Sequence, residues 1–254
     1  MDTHVGCALS FDVDAGTELL LQIAPTVVAS EELTLSIGEV RELPGAHGAR
    51  LHVITAPAGR LDVTYSATVP PGEPGPSVPL DTDVIDALRP SRYCPSDALE
   101  GFAPTELAGV DDVADWVFER LAYVVGASGP LDTAIDTLLA GRGVCRDFAH
   151  LTIALCRATG VPARLVSVYA PGLSPMDFHA VAEVHDGEQW HVVDATRLAP
   201  RHSLVRIATG RDAADTAFAM TLAGSAELLS TEVTAVIDGD LPLDDHRSPV
   251  VLPS

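Results

Sequence analysis

The chain has 254 residues, of which 47% are hydrophobic and 20% charged, a composition that buries a sizeable core in one large or two modest domains. Its formal net charge of −21 argues against a surface that neutralises phosphate or anionic lipid, so neither nucleic acid nor a membrane is expected as a partner. All 15 of its Lys and Arg positions are arginine, so the chain offers no ε-amine as an internal acceptor for acyl transfer.

Residues 4–69 predict a small antiparallel β domain. HVGCALSFDV, TELLLQIAPT, EELTLSIGEV and the pair RLHVITAP and RLDVTYSATV are short, often alternating, and broken at Gly and Pro. PPGEPGPSVP carries Pro and Gly at a density that no strand or helix interior tolerates, which bounds a β domain over 1–69 and a linker over 70–80. Helical patterns follow at 81–88, 111–125 and 131–140, with acids crowding the first turn of the second. Another helix begins near Cys145, and strands return after residue 163 in ARLVSVYA, HAVAEVH, QWHVVDAT and LVRIA, with two more expected within 217–237. Helices first and strands after imply an α+β domain over 81–240, followed by a loose tail over 241–254.

The first residues, MDTHVGCALSFDVDAG, hold acids where an export signal holds basic residues. No apolar run approaches the ~18 residues of a spanning helix. Cys7, Cys94, Cys145 and Cys156 lack CxxC spacing, so free thiols are expected in a soluble, cytoplasmic protein.

In CRDFAHLTIALCRATG the residues Phe148, Leu151 and Leu155 fall at helical spacing, and Gly160 followed by Pro162 is a stop signal. Cys145 therefore sits in the first turn, where unpaired backbone N–H groups and the positive end of the dipole favour a thiolate nucleophile. The competing reading is a small buried hydrophobe, the commonest fate of a free cysteine, and Cys156 in mid-helix illustrates it. Gly143, just ahead, lets another chain approach closely.

A nucleophilic cysteine needs a histidine and a group that orients it. HAVAEVHDGEQWHVVDAT contains Asp186-Gly187 between two alternating runs, the signal of a two-residue type I′ hairpin. That turn sets Glu188 against His185, Trp190 against Glu183, Val192 against Val181 and Asp194 against His179. Opposed residues share a face with Cβ atoms ~5 Å apart, close enough for a carboxylate to accept from an imidazole. A surface His–Asp pair is the plainer reading of the same pattern. His150 lies five residues, roughly 140° around the helix, from Cys145 and is expected to be structural. His185 sits beside the turn and His191 points to the other face.

GRGVCRDFAHLTIALCRATGVPARLVSVYA, HAVAEV and WHVVDAT together resemble the bacterial transglutaminase-like proteins of the papain-like cysteine superfamily. LRPSRYCPSD (88–97) is similar to the opening of that domain, and the β segment to the β region found ahead of it. The resemblance implies a transglutaminase-like core with Cys145 as nucleophile, His179 as general base and Asp194 as orienting acid, and it implies no cofactor. The chain departs from the family pattern in two places. Val181 stands where many relatives have Trp, and Ala195 where they have Pro, so a tryptophan-lined donor groove is not implied. The Cys145 backbone N–H is expected to stabilise an oxyanion, with Tyr123 or Trp116 as candidates for the second donor and Tyr169 as a candidate for lining the cleft.

The leading functional reading is a thiol enzyme that forms a thioester on Cys145 from a peptide or other amide and passes the acyl group to water or to an amine. Hydrolysis is favoured, since PGLSPMDF (171–178) and a short turn leave little loop for docking a second protein. Metal-dependent hydrolysis is a second class, because Cys, His and Asp all bind zinc, but neither HExxH nor CxxC accompanies them. A non-catalytic binding module is a third, against which the complete triad counts. Oligomeric state is not readable.

Overall fold

The computed structural model describes residues 1–72, 81–102, 107 and 109–253. From residue 73 on, the expected linker lies outside the described residues. Turn residues divide the first part of the chain into β1 (Thr3–Val13), β2 (Thr17–Leu21), β3 (Ser30–Leu35), β4 (Glu39–Pro44), β5 (Arg50–Ala56) and β6 (Gly59–Val69). The run expected as one strand, EELTLSIGEV, is thus two, because Gly38 turns the chain at φ 87°. In β6 the side chains of Leu61, Val63, Tyr65 and Ala67 are buried while Asp62, Thr64 and Ser66 face out, the alternation that a half-buried strand requires.

The remainder comprises α1 (Asp81–Asp86), α2 (Val110–Arg120), β7 (Ala122–Tyr123), α3 (Ala134–Ala140), β8 (Arg142–Gly143), α4 (Cys145–Ala158), β9 (Ala163–Tyr169), β10 (Phe178–His185), β11 (Trp190–Val193), β12 (Val205–Gly210), α5 (Ala213–Thr216), β13 (Ala219–Ala223) and β14 (Ala226–Ile237). The fold is α+β. α2 stops five residues short of the predicted end because Leu121 turns extended and Ala122-Tyr123 pairs in parallel with Arg142-Gly143. α3 starts later than predicted, at a capping box in which Thr133 and Asp136 satisfy each other's backbone N–H.

Three four-stranded antiparallel sheets organise the chain, in the orders β14-β1-β6-β3, β13-β2-β5-β4 and β11-β10-β9-β12. β13 and β14, expected to complete the domain over 81–240, instead return to the N-terminal strands: β14 pairs with β1 from Thr3↔Ile237 to Val13↔Ala226, and β13 pairs with β2. β1 is buried along most of its length and needs a ladder on each side. β6 supplies one and β14 the other. The core of these two sheets also takes in Tyr169, Val205, Ile207 and Ala208 of the third sheet, so the two halves share one apolar interior.

α4 lies at the centre of a second core with α2, α3 and the alternating side chains Ala163, Leu165, Ala182 and Val184. The opposite face of the sheet, with Val166, Val168, Val181 and Val192, is covered by Val250 and Leu252. The tail, expected to be loose, is therefore docked. The Val192 N–H donates to the Val250 carbonyl at 2.8 Å, and buried Arg201 grips Asp244 through Nε (3.0 Å) and Nη2 (2.8 Å). A run of Asp and Pro reads as loose in sequence, whereas the carboxylate that fastens it meets its arginine only in the folded chain.

Arg201→Ala leaves Asp244 buried without its cation, a change that costs about 3 kcal/mol at comparable buried pairs. For a chain of this length that corresponds to a fall in Tm of roughly 6–12 °C. Thermal unfolding followed by circular dichroism measures it, and an unshifted Tm would show that the tail is not held through this pair.

Candidate active site

Cys145 is the first residue of α4, preceded by Val144 in an extended conformation. What sets this junction is Asp147, a fully buried carboxylate in the first turn of the helix. Its Oδ2 accepts from the Val144 N–H at 2.8 Å and from the Ser128 hydroxyl, and its Oδ1 accepts from Arg146 Nη2 at 2.9 Å. Arg146 Nη2 also donates to the Gly129 carbonyl at 2.8 Å. The carboxylate thus ties the loop at 128–129 to the helix N-terminus, where negative charge is favoured. Gly143 is required by the same contact: a Cβ there would lie 2.6 Å from the Asp147 Cβ. The close approach expected at this glycine is made by the chain's own aspartate.

β7 brings Tyr123 alongside. Tyr123 is the register partner of Gly143, and the Val124 N–H donates to the Gly143 carbonyl at 2.9 Å. Burial, and then the neighbouring Cys145, push the Tyr123 hydroxyl up to about 12. Trp116, the other candidate for the second donor, packs instead against the helical core.

His179 and Asp194 are brought together on the third sheet, with His179 Nε2 2.9 Å from Asp194 Oδ2 and both side chains buried. The other oxygen, Oδ1, accepts from the Thr196 N–H (2.9 Å) and hydroxyl (2.7 Å). The register that delivers the pair differs from the predicted one by two residues: His185 pairs with Trp190, and Glu183 with Val192. The Asp186 carboxylate accepts from the N–H groups of both Glu188 and Gln189, which lengthens the loop to four residues, and only Gly187 takes a positive φ. A two-residue slip preserves side-chain faces where a one-residue slip reverses them. Asp194 accordingly stands diagonal to His179 rather than opposite it, still within reach.

The environment of His179 is electrostatically one-sided. Burial opposes its charge, but the Asp194 carboxylate and then the nearby Cys145 sulfur outweigh that and raise the imidazole to about 10. Asp194, despite its own burial, is held below the usual carboxylate range by His179 and Thr196. With Nε2 turned to Asp194, Nδ1 is without a hydrogen-bond partner and is the ring atom left for the thiol. Cys145 is partly exposed, whereas the other three cysteines are buried. Burial raises Cys7 to about 11 and Cys156 to about 12, and Cys94 higher still.

The other sequence candidates lie elsewhere. His150 is buried, stacked on Tyr93 at 5.2 Å, and accepts from the Ala213 N–H, with burial lowering it to about 4. His191 pairs with Asp186 at the hairpin loop, and His185 packs against Trp190. Tyr169, considered as a cleft residue, is fully buried and donates to the Ile23 carbonyl at 2.8 Å, because the end of β9 is inserted into the N-terminal β core. Sequence reading missed Asp147, Ser128, Arg146 and Thr196. An acid three residues after the helix boundary, and a threonine two residues after the aspartate, were the available signals. Among the described residues, no group of three or more His, Cys, Asp and Glu is arranged to hold a metal ion, and no helix is long and apolar enough to cross a membrane.

Residues 96–195 match the transglutaminase core model of the Transglutaminase-like superfamily. A crystal structure from Cytophaga hutchinsonii, named as that of a "putative cysteine protease", is 34% identical with a TM-score of 0.87, covering 98% of this chain and 95% of that one. An uncharacterized protein of Mycobacterium leprae is 29% identical over 194 residues, 65% of this chain and 68% of the relative. Another, of Mycobacterium tuberculosis, is 34% identical over 174 residues, 59% of this chain and 54% of the relative.

The charged His179–Asp194 pair makes stability depend on pH in a defined direction. A histidine raised from 6.5 to about 10 stabilises the fold fully below pH 6.5 and loses that contribution as the pH climbs toward 10. Asp194, lowered from 3.8, contributes above that value and is lost as the pH falls through its folded pKa. Asp194→Asn should therefore destabilise most between about pH 4 and 6.5 and flatten the decline of Tm toward pH 10. Wild-type and variant melting curves across that range measure both effects, and parallel curves would refute the charged pair.

Proposed function

We propose that this chain, which belongs to the transglutaminase-like superfamily, is a thiol enzyme that hydrolyses a peptide or other amide through a thioester on Cys145. The observation that carries this reading is the buried His179 imidazole, held through Nε2 by the Asp194 carboxylate with Nδ1 unpartnered, and near enough to the Cys145 sulfur to be raised by it. His179 carries the proton that the thiol gives up, and Cys145 Sγ attacks the carbonyl carbon. The resulting oxyanion is met by the Cys145 N–H at the helix N-terminus and by the Tyr123 hydroxyl. As the C–N bond breaks, the imidazolium gives its proton to the leaving amine, and the acyl group remains on sulfur. His179 then takes a proton from water, the hydroxyl oxygen attacks the thioester, and the C–S bond breaks to release the acid and restore the thiol. Asp194 holds the ring by Nε2 so that Nδ1 faces the sulfur, and Thr196 holds Asp194.

Water is favoured over a protein amine as acceptor because the connections on either side of the strand that carries His179 are short. β9 and β10 are joined by 170–177, and the hairpin loop spans only 186–189, which leaves little chain to seat a second, lysine-bearing protein. The name of the Cytophaga hutchinsonii relative points the same way. Four unpaired cysteines suit a reducing compartment, so the enzyme is assigned to the cytoplasm.

Iodoacetamide followed by peptide mapping is expected to alkylate Cys145 well ahead of Cys7, Cys94 and Cys156; equal rates at all four would remove the nucleophile. Asp194→Asn should keep the fold while lowering turnover on the order of 10⁴-fold, the loss known for the orienting acid of the Ser-His-Asp template. The acceptor is decided by incubating the enzyme with casein and a fluorescent primary amine. Acid release without incorporation is expected, and incorporation that disappears in Cys145→Ala would overturn hydrolysis.

A further inference from the structure

Resting on the thiol-enzyme reading, we infer that the face around Cys145 selects an acyl donor bearing a cationic side chain beside an apolar one, with Asp177 receiving the cation.

Apolar groups stand exposed around this site. Tyr123 is 41% exposed, Val124 40%, Val125 82% and Met176 44%. Tyr123 and Val124 are fixed beside Gly143 by the β7–β8 pairing, and so beside the thiol. Met176 and Asp177 come immediately ahead of β10, the strand that carries His179. A donor strand laid over Cys145 would thus meet apolar surface from β7 and from the approach to His179.

Asp177 gives that surface a sign. It precedes His179 by two residues, where the chain enters β10, which keeps its Cα within about 7 Å of the His179 Cα. The side chain is exposed and accepts from the Phe178 N–H at 2.8 Å. Among the described residues no arginine or histidine comes within ion-pair distance of it. Asp147 and Asp194, the other two carboxylates of the site, are both buried and already hold Arg146 and His179. The Asp177 charge adds a further upward push to the Tyr123 hydroxyl beside Cys145. The formal charge of −21 adds a field that draws cationic donors and turns anionic ones away, screened beyond ~8 Å at physiological salt. Discrimination between neighbouring side chains on a donor therefore falls to Asp177.

Peptide chloromethyl ketones test this without requiring turnover, since the sulfur displaces chloride and the reagent stays on the protein. Three reagents with phenylalanine next to the ketone-bearing residue, which is arginine, norleucine or glutamate, are compared by the rate at which Cys145 is alkylated in the full chain, read by intact mass. The arginine reagent is expected to react about tenfold faster than norleucine, the usual worth of a charge-assisted contact, with glutamate slowest. The preference should reside in reagent binding, not in the limiting rate. In Asp177→Asn the arginine and norleucine rates should converge, and in Asp177→Arg the order should invert. Equal rates in the wild type, or a preference that persists in both variants, would overturn the assignment while leaving the nucleophile intact. If iodoacetamide does not single out Cys145, the thiol-enzyme reading itself fails, and this inference with it.

Discussion

The candidate site depends on one buried carboxylate. Asp147 lies inside the first turn of α4 and holds three things at once: the backbone that precedes Cys145, the hydroxyl of Ser128 and the guanidinium of Arg146. Its Cβ occupies the space that any side chain at Gly143 would need. A carboxylate in this position satisfies N-terminal donors that the helix leaves open and meets the positive end of its dipole. Burial makes the arrangement stringent, because an unpartnered charge there would be costly. The consequence is a Cys145 whose backbone is fixed while its side chain stays partly open.

Rigidity of the sheet behind His179 has a related origin. Glu183, four residues along the same strand, is fully buried between Arg164 of β9 and Arg206 of β12, so one carboxylate crosslinks three strands. Arg164 in turn stacks 3.9 Å from the Trp190 ring on β11. Arg157, within α4, donates to the carbonyls of Ala87, Ala163, Arg89 and Arg211, fastening the segment around α1 to the core. These duties give the missing lysines a structural sense. A planar guanidinium with five donors can satisfy several buried acceptors, which a compact ammonium on a flexible stem cannot do in the same geometry. His179 and Cys145 are carried on elements clamped in this way.

Much of the site was legible before any coordinates. Cys145 at a helix start follows from helical spacing and the Gly160–Pro162 stop, and His179 and Asp194 share a face because alternation has a period of two. The hairpin is instructive because its register came out two residues away from the predicted one. Asp186 prefers to bond its own carboxylate to the following N–H groups, a local choice that the Asp-Gly signal does not distinguish from a tight turn. The pairing of faces survived because the slip was even. Tyr169, Asp147 and the tail reveal a different limit. Each is positioned by a partner remote in the chain or hidden inside a turn, namely the Ile23 carbonyl, Ser128 and Arg201, and neither periodicity nor composition encodes such distances.

The amino-acid sequence alone determined the α+β class, the order of most elements, the free cysteines and the shared face on which the His179 and Asp194 side chains lie. These follow from local backbone preference and from hydrophobic period, both of which act over a few residues. Only the tertiary structure decided that β13 and β14 close the N-terminal sheets, that the tail covers the third sheet, and that Tyr123 rather than Trp116 stands beside the thiol. Those outcomes depend on which edges and which apolar faces remain to be covered once the rest has packed. Such competition is settled by burial and pairing across the whole chain, and a strand's own residues do not name the edge it will complete.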